Sequence, residues 1–273
     1  MTPILDAETI RAFREDGACV LRGHFADWID TLRDGVAADM AAPGPGVRIY
    51  GGEDGSGRFF GDYCNWDRIE EFRRFVFDST VAPIAAELMG SKQVRLFHEH
   101  VLVKEPGSDT TTPWHQDGPY YCVRGPLTCS IWIPLDHVPV ERCMEAVAGS
   151  QRDQVEFRPD RFNGEPLYAN DPRDPVPDIE ADRSKWNILR WELQPGDAVA
   201  FQYTTLHGAP ANSSPTTRRA VSVRMVGDGA TFVEREGPTS PPFPGLEYKT
   251  GDPLEGPQFP VLWSHESLSA ATG

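Results

Sequence analysis

Two short segments of the chain carry metal-binding and anion-binding side chains at informative spacings. In Thr112-Pro113-Trp114-His115-Gln116-Asp117-Gly118, an imidazole and a carboxylate stand two positions apart. In extended backbone such residues point the same way, roughly 6–7 Å apart, so both can reach one ion. Imidazole and carboxylate suit Fe(II), and a later imidazole would complete a two-histidine, one-carboxylate face with open coordination positions. The second segment, Phe201-Gln202-Tyr203-Thr204-Thr205-Leu206-His207-Gly208, reads as an apolar strand ending in that imidazole, and Arg218 follows it. A guanidinium grips a carboxylate at two points in one plane, which a dicarboxylic cosubstrate would need. Taken singly, a satisfied core histidine and a surface arginine would explain these residues. Their joint order, His-x-Asp, then His, then Arg, is what chance seldom supplies.

The elements around them are legible from periodicity. Residues 7–16 place Ile10 and Phe13 on one helical face, with Asp6 as N-cap and Gly17 as stop. A short strand, Ala18 to Leu21, follows. Helices are expected over 66–77, with Ile69, Phe72, Phe75 and Val76 at helical spacing, and over 79–89, closed by Gly90. From Gln93 to Lys104 the period changes to two, and further strands are expected over 127–135, 197–203 and 219–226. Helices first, then strands without helices between them, argue for a sandwich or barrel rather than a βαβ sheet. Residues 151–186 are too long for a simple connector and read as a lid or an ordered insertion. The glycine-rich stretch 45–65, with Phe59 and Phe60, reads as a second lid. The Pro- and Gly-rich tail from Glu236 keeps Phe243, Leu246, Tyr248, Phe259 and Trp263, so it should pack along the surface. One domain over 1–273 is expected, with N-terminal helices 6–90, a core of about 93–230 and the tail 236–273.

Charge and cysteine usage narrow the partners. Lys plus Arg is 26 against 41 Asp plus Glu, a formal charge of −15 with a pI near 4.8. A phosphate-binding face is poorly served by that balance, so neither nucleic acid nor an anionic membrane is expected as partner. No apolar run approaches the ~18 residues of a membrane span, and the N-terminal stretch lacks the basic-then-apolar order of a signal peptide. The cysteines, Cys19, Cys64, Cys122, Cys129 and Cys143, are odd in number without a C-x-x-C pair, which suits reduced thiols in the cytoplasm.

At this point the chain resembles the phytanoyl-CoA dioxygenase family of Fe(II)/2-oxoglutarate-dependent oxygenases. The matching residues are His115-Gln116-Asp117, Ile131-Trp132-Ile133-Pro134-Leu135-Asp136, Gly149-Ser150, Pro195-Gly196-Asp197, and His207-Gly208 through Arg218-Arg219-Ala220-Val221-Ser222. Phe13-Arg14-Glu15-Asp16-Gly17 resembles the family's opening helix-to-strand step, so the likeness runs from about residue 6 to 230. It implies a mainly β fold with flanking helices, built on a double-stranded β-helix (jelly-roll, cupin-like) core. It also implies iron held by residues matching His115, Asp117 and His207, which are then the catalytic residues, with O2 as second cosubstrate. The distal carboxylate of 2-oxoglutarate would meet Arg218, with Arg219 the near competitor, and Trp132, Ser222 and His98 would line the cosubstrate pocket. Tyr120, Tyr121 and Arg224 are the candidates for contact with a small-molecule substrate.

The resemblance implies oxidation, by hydroxylation, of a substrate C–H bond with release of succinate and CO2. Desaturation, cyclisation or epimerisation by the same machinery is the alternative inside the class. A cupin-like metal-binding protein without oxygenase activity is the alternative outside it. Where many family members read Asn-Gly-Cys-Leu and Pro-Gly-Ser-His, this chain has Glu141-Arg142-Cys143-Met144-Glu145 and Ala148-Gly149-Ser150-Gln151. That stretch borders the substrate pocket, so the named family's substrate does not carry over.

Overall fold

A computed structural model describes residues 3–52, 56–161 and 164–265. The chain opens with α1 (Ala7–Asp16), where the Asp6 side chain accepts from the Thr9 amide and Gly17 closes the helix at φ +81°. It continues through β1 (Ala18–Leu21), α2 (Ile29–Ala41), β2 (Arg48–Tyr50), β3 (Phe59–Tyr63), α3 (Glu70–Asp78) and α4 (Val81–Met89). Strands β4 (Gln93–Lys104), β5 (Thr112–His115), β6 (Val123–Arg124), β7 (Thr128–Pro134), β8 (Glu145–Val147) and β9 (Ile188–Leu189) follow. The last elements are β10 (Ala198–Phe201), β11 (His207–Ala209), β12 (Arg218–Val226), β13 (Thr231–Phe232) and β14 (Val261–Ser264).

Antiparallel pairing joins most of these strands into two facing sheets, with β6 and β13 forming a separate ribbon. The major sheet runs β1-β10-β7-β12-β4-β3-β2, with β14 on β4; the minor sheet runs β5-β11-β8-β9. This is the mainly β, jelly-roll arrangement expected. Alternation sorts the side chains of the major sheet. Ile131, Ile133, Val221, Val223, Ala198 and Ala200 enter the larger apolar core, together with Phe72, Phe75, Ile84 and Leu88 of α3 and α4. Their neighbours Trp132, Ala220, Val199 and Phe201 turn the other way, against Met144 and Ala146 of the minor-sheet side.

The structure revises two expectations about the N-terminal third. Beyond the expected strand β1, residues 6–90 are not only helical, since β2 and β3 are also strands of the major sheet. The stretch 45–65 is therefore not a free lid, although residues 53–55 lie outside the described residues. Strand β3 pairs with β4 from Phe59↔Lys104 to Tyr63↔His100, and all five of its residues are buried. The long strand β4 requires a neighbour on that side, and Phe59 and Phe60 lose their apolar area to the sheet instead of to solvent. At the other end, β14 pairs with β4, and Phe243, Leu246, Tyr248 and Phe259 pack with Phe97 and Tyr121.

Candidate active site

His115 ends β5 and His207 begins β11, and the two are direct cross-strand partners with ring centroids 4.2 Å apart. His115 Nδ1 lies 2.8 Å from the Pro113 carbonyl, and His207 Nδ1 lies 3.0 Å from the Thr205 carbonyl. A carbonyl only accepts, so each ring carries its proton on Nδ1 and turns the Nε2 lone pair inward. Asp117 follows β5 by two residues and places Oδ1 at 3.7 Å from His115 Nε2 and 3.9 Å from His207 Nε2. Three ligand atoms thus lie within 4.8 Å of one another. Two neutral imidazoles, oriented by outer hydrogen bonds, and one carboxylate oxygen fit a divalent transition metal such as iron.

The major sheet holds the other side of Asp117. Ser130 Oγ, on the inner face of β7, donates to Asp117 Oδ2 at 3.0 Å. Arg224 Nε, on the inner face of β12, lies 3.3 Å from the same oxygen and donates to the Tyr121 hydroxyl. Oδ2 is thereby engaged and Oδ1 is left for a metal. Burial alone would raise the Asp117 carboxyl, but the Arg224 charge, with His115 and His207, holds it well below the usual carboxylate range. Burial, then the neighbouring His115, pushes His207 down to about 3, so its imidazole stays neutral and able to ligate.

The remaining candidates fall at graded distances from this centre. Trp132 and Ser222 are cross-strand partners on the inner face, and Ser222 Oγ is buried without a partner among the described residues. His98 sits opposite Arg224, fully buried, with Nδ1 equally unpartnered and its ring edge-on to Tyr121. Arg218 is buried at the start of β12, and no carboxylate among the described residues pairs with it. Arg219 turns outward and pairs with Asp136 at 2.5 Å. Tyr120 meets the His115 ring edge-on at 5.9 Å and donates its hydroxyl to the Asp160 carbonyl. Tyr121 lines no opening: it is buried behind Asp117, packed on Phe97 and Tyr203. Arg224 does face inward, yet its Nε is engaged by Asp117 and Tyr121, and its Nη1 is buried without a partner among the described residues.

Two contributors are not singled out as site residues in the sequence. Ser130 is an ordinary strand serine, and the signal that locates it is its shared parity with Trp132. Gln116 anchors the 151–186 segment to the site: its Nε2 donates to the Val155 and Thr204 carbonyls, and its Oε1 accepts from the Phe157 amide. Trp114 Nε1 adds a bond to Glu180. Residues 162–163 of that segment lie outside the described residues.

A family model described as Phytanoyl-CoA dioxygenase (PhyH) matches residues 13–220, most of the chain and every residue of the triad. The chain belongs to the phytanoyl-CoA dioxygenase family. A curated relative, Phytanoyl-CoA dioxygenase 1 of Oryza sativa subsp. japonica, is 23% identical over 156 residues, covering 57% of this chain and 52% of the relative. The match therefore spans about half that relative's length. Among solved structures, the non-heme alpha ketoglutarate dependent carbocyclase SnoK from nogalamycin biosynthesis is 26% identical, with a TM-score of 0.73 over 94% of this chain and 96% of that one. The epimerase SnoN, in complex with Fe3+, alpha ketoglutarate and nogalamycin RO, is 24% identical, with a TM-score of 0.74 over 94% and 98%. This dioxygenase-family chain thus carries the jelly-roll fold of the iron- and 2-oxoglutarate-dependent oxygenases. Among the described residues no helix is long and apolar enough to cross a membrane.

Proposed function

We propose that the protein is a non-haem Fe(II)- and 2-oxoglutarate-dependent dioxygenase that hydroxylates a C–H bond of a small-molecule metabolite. A single domain spanning 1–273 would carry this activity. The observation that carries the reading is the convergence of His115 Nε2, His207 Nε2 and Asp117 Oδ1 beside buried polar atoms that have no partner among the described residues. His115, Asp117 and His207 would hold the iron. Iron with 2-oxoglutarate and O2 supplies the oxidising power, and succinate and CO2 leave.

The protein's own residues bind, orient and exclude water. Arg218 takes the distal carboxylate of 2-oxoglutarate, since it is a buried cation that no acid among the described residues neutralises. Trp132, Ser222 and His98 wall that pocket. Ser130 and Arg224 restrain Asp117 to one ligating oxygen. Tyr120, against His115, stands where a substrate would approach. The five unpaired cysteines support a cytoplasmic setting.

The likeness to the carbocyclase SnoK favours a second reading, in which the same oxidation closes a ring, and the likeness to the epimerase SnoN keeps inversion of a stereocentre beside it. Succinate release with Fe(II), 2-oxoglutarate and ascorbate, screened for stimulation by small metabolites, tests the oxygenase. No succinate from metal-loaded protein under any addition would leave a metal-binding barrel without oxygenase activity. Product mass then separates the two readings: hydroxylation adds one oxygen, whereas ring closure and epimerisation add none.

A further inference from the structure

The inner face of the major sheet holds a buried lysine beside the Arg218 guanidinium. Lys104 ends β4, Arg218 begins β12, and the two are direct cross-strand partners on one face. Lys104 is 2% exposed and Arg218 is 8% exposed. Lys104 Nζ donates to the Pro210 carbonyl at 3.1 Å, and Arg218 Nη2 donates to that same carbonyl at 3.3 Å. Both cationic heads therefore meet at one oxygen. Arg218 Nη1 donates to the Arg142 carbonyl, and the face of the Phe59 ring lies 4.9 Å from Lys104 Nζ.

No ion pair joins either head to an acid of the described residues. Glu105, next to Lys104, is committed to Arg58, and Asp136 is committed to Arg219. A buried cation is costly without an anion and two side by side repel as well, so until an anion arrives the lysine is the head that gives up its charge. Their spare hydrogens point to the missing partner. An ammonium has three N–H donors and Lys104 uses one; a guanidinium has five, of which Arg218 uses two. A carboxylate, with about four acceptor sites, matches what is left over.

We propose that Lys104 is a second binding residue for the cosubstrate, its ammonium joining the Arg218 guanidinium on the distal carboxylate of 2-oxoglutarate. The assignment rests on the oxygenase reading and adds a residue to it. It has a consequence in protons. In the empty pocket, burial and then the Arg218 charge lower the Lys104 ammonium to about 6. The groups packed on it are Arg218 from β12, the uncharged Phe59 ring from β3 and the Pro210 carbonyl after β11. Near neutral pH the empty site thus holds a mostly neutral lysine. An arriving carboxylate favours the charged form, so binding draws one proton from solvent above about pH 6 and none well below it. Affinity for 2-oxoglutarate consequently weakens as pH rises through that range.

Calorimetric titration of the Mn(II)-loaded full chain with 2-oxoglutarate, in buffers of different ionisation enthalpy, reads the proton directly. At about pH 8 the unmutated protein should take up close to one proton per cosubstrate, falling towards none at about pH 5. Lys104→Arg should keep near-normal affinity without proton uptake, because its guanidinium is already charged. Lys104→Met should abolish the uptake and weaken binding about tenfold at pH near 6, the scale of one charge-assisted hydrogen bond. With 2-oxobutyrate, which lacks the distal carboxylate, neither substitution should matter. Unchanged proton uptake in Lys104→Arg, or an equal loss of affinity for both ligands in Lys104→Met, would overturn the assignment and leave the oxygenase reading intact. Failure of the unmutated, metal-loaded protein to bind 2-oxoglutarate at all would overturn both.

Discussion

Odd-numbered residues of β7, and of β12 from Val221 on, enter the apolar core under α3 and α4, whereas Ser130, Trp132 and the even-numbered residues of β12 up to Arg224 turn to the space between the sheets. Ile131, Ile133, Val221 and Val223 on the first side are aliphatic and fully packed. Ser130, Trp132, Arg218, Ser222 and Arg224 on the second side include two buried guanidiniums and a hydroxyl with no partner among the described residues. One period-two strand therefore serves stability with one set of side chains and chemistry with the other. The partition has an exception on β4. Glu99 stands opposite Val223, buried against the Asn65 amide, and burial raises its acid to about 8, so it stays protonated near neutral pH.

The comparison predicts that the two faces can be damaged independently. The largest effect falls between the sheets. His115→Ala or His207→Ala removes one of three ligands from a site with no spare among the described residues, so metal binding and turnover should be abolished. Apart from Asp117, each imidazole is anchored by the carbonyl two residues before it, so the circular dichroism spectrum should stay close to normal. Metal content by mass spectrometry decides it; near-stoichiometric iron in either variant would remove that residue from the ligand set.

Ile131→Ala is the matching injury on the other face. Its fully buried side chain leaves a cavity, and the loss should be about 2–5 kcal/mol of stability by denaturant titration. Metal affinity of the folded variant should be unchanged. A weakened metal site there would mean that the faces are coupled through the strand.

Arg224→Met probes the boundary. The substitution keeps much of the volume but frees Asp117 Oδ2 from its cation, leaving Ser130 alone to hold it. Metal affinity should fall about 10–100-fold, the usual cost of losing a group that orients a ligand. Co(II) titration followed by its visible spectrum measures this, and an unaltered affinity would make Arg224 a substrate contact rather than a restraint on Asp117.

Local signals account for what the sequence made legible. The Asp6 cap and Gly17 stop frame α1, and the strand expected over 93–104 appears as β4. The histidine, aspartate and arginine positions were visible because their order is chemical rather than structural. Helix α2 was not visible, because Gly35 interrupts it. A Cβ there would come within 2.6 Å of the Phe72 ring, so close packing on α3 requires the glycine that weakens the helical signal. Strand β3 was hidden because burial on both faces removes the alternation that marks a half-buried strand. Ser130, Lys104 and the contact between Arg224 and Asp117 belong to cross-strand geometry, which no single segment encodes.

Arg218 and Arg219 put the partition to its finest test, since one residue step separates them. Arg218→Ala should raise the 2-oxoglutarate requirement at least tenfold, since a charged hydrogen bond is worth roughly 1.5–3 kcal/mol and about 1.4 kcal/mol is a factor of ten. Arg219 holds Asp136 at the partly exposed surface, where solvent screens the pair. Its loss should cost no more than about 1 kcal/mol of stability. Cosubstrate affinity in Arg219→Ala should stay within about twofold of normal, because the side chain leaves the sheet on the side away from the pocket. Binding titrations of both variants, with stability measured beside them, rank the two positions. A larger cosubstrate penalty at Arg219 would reverse the facing of β12 at its first turn of the alternation, and with it the inward direction assigned to Arg218, Ser222 and Arg224.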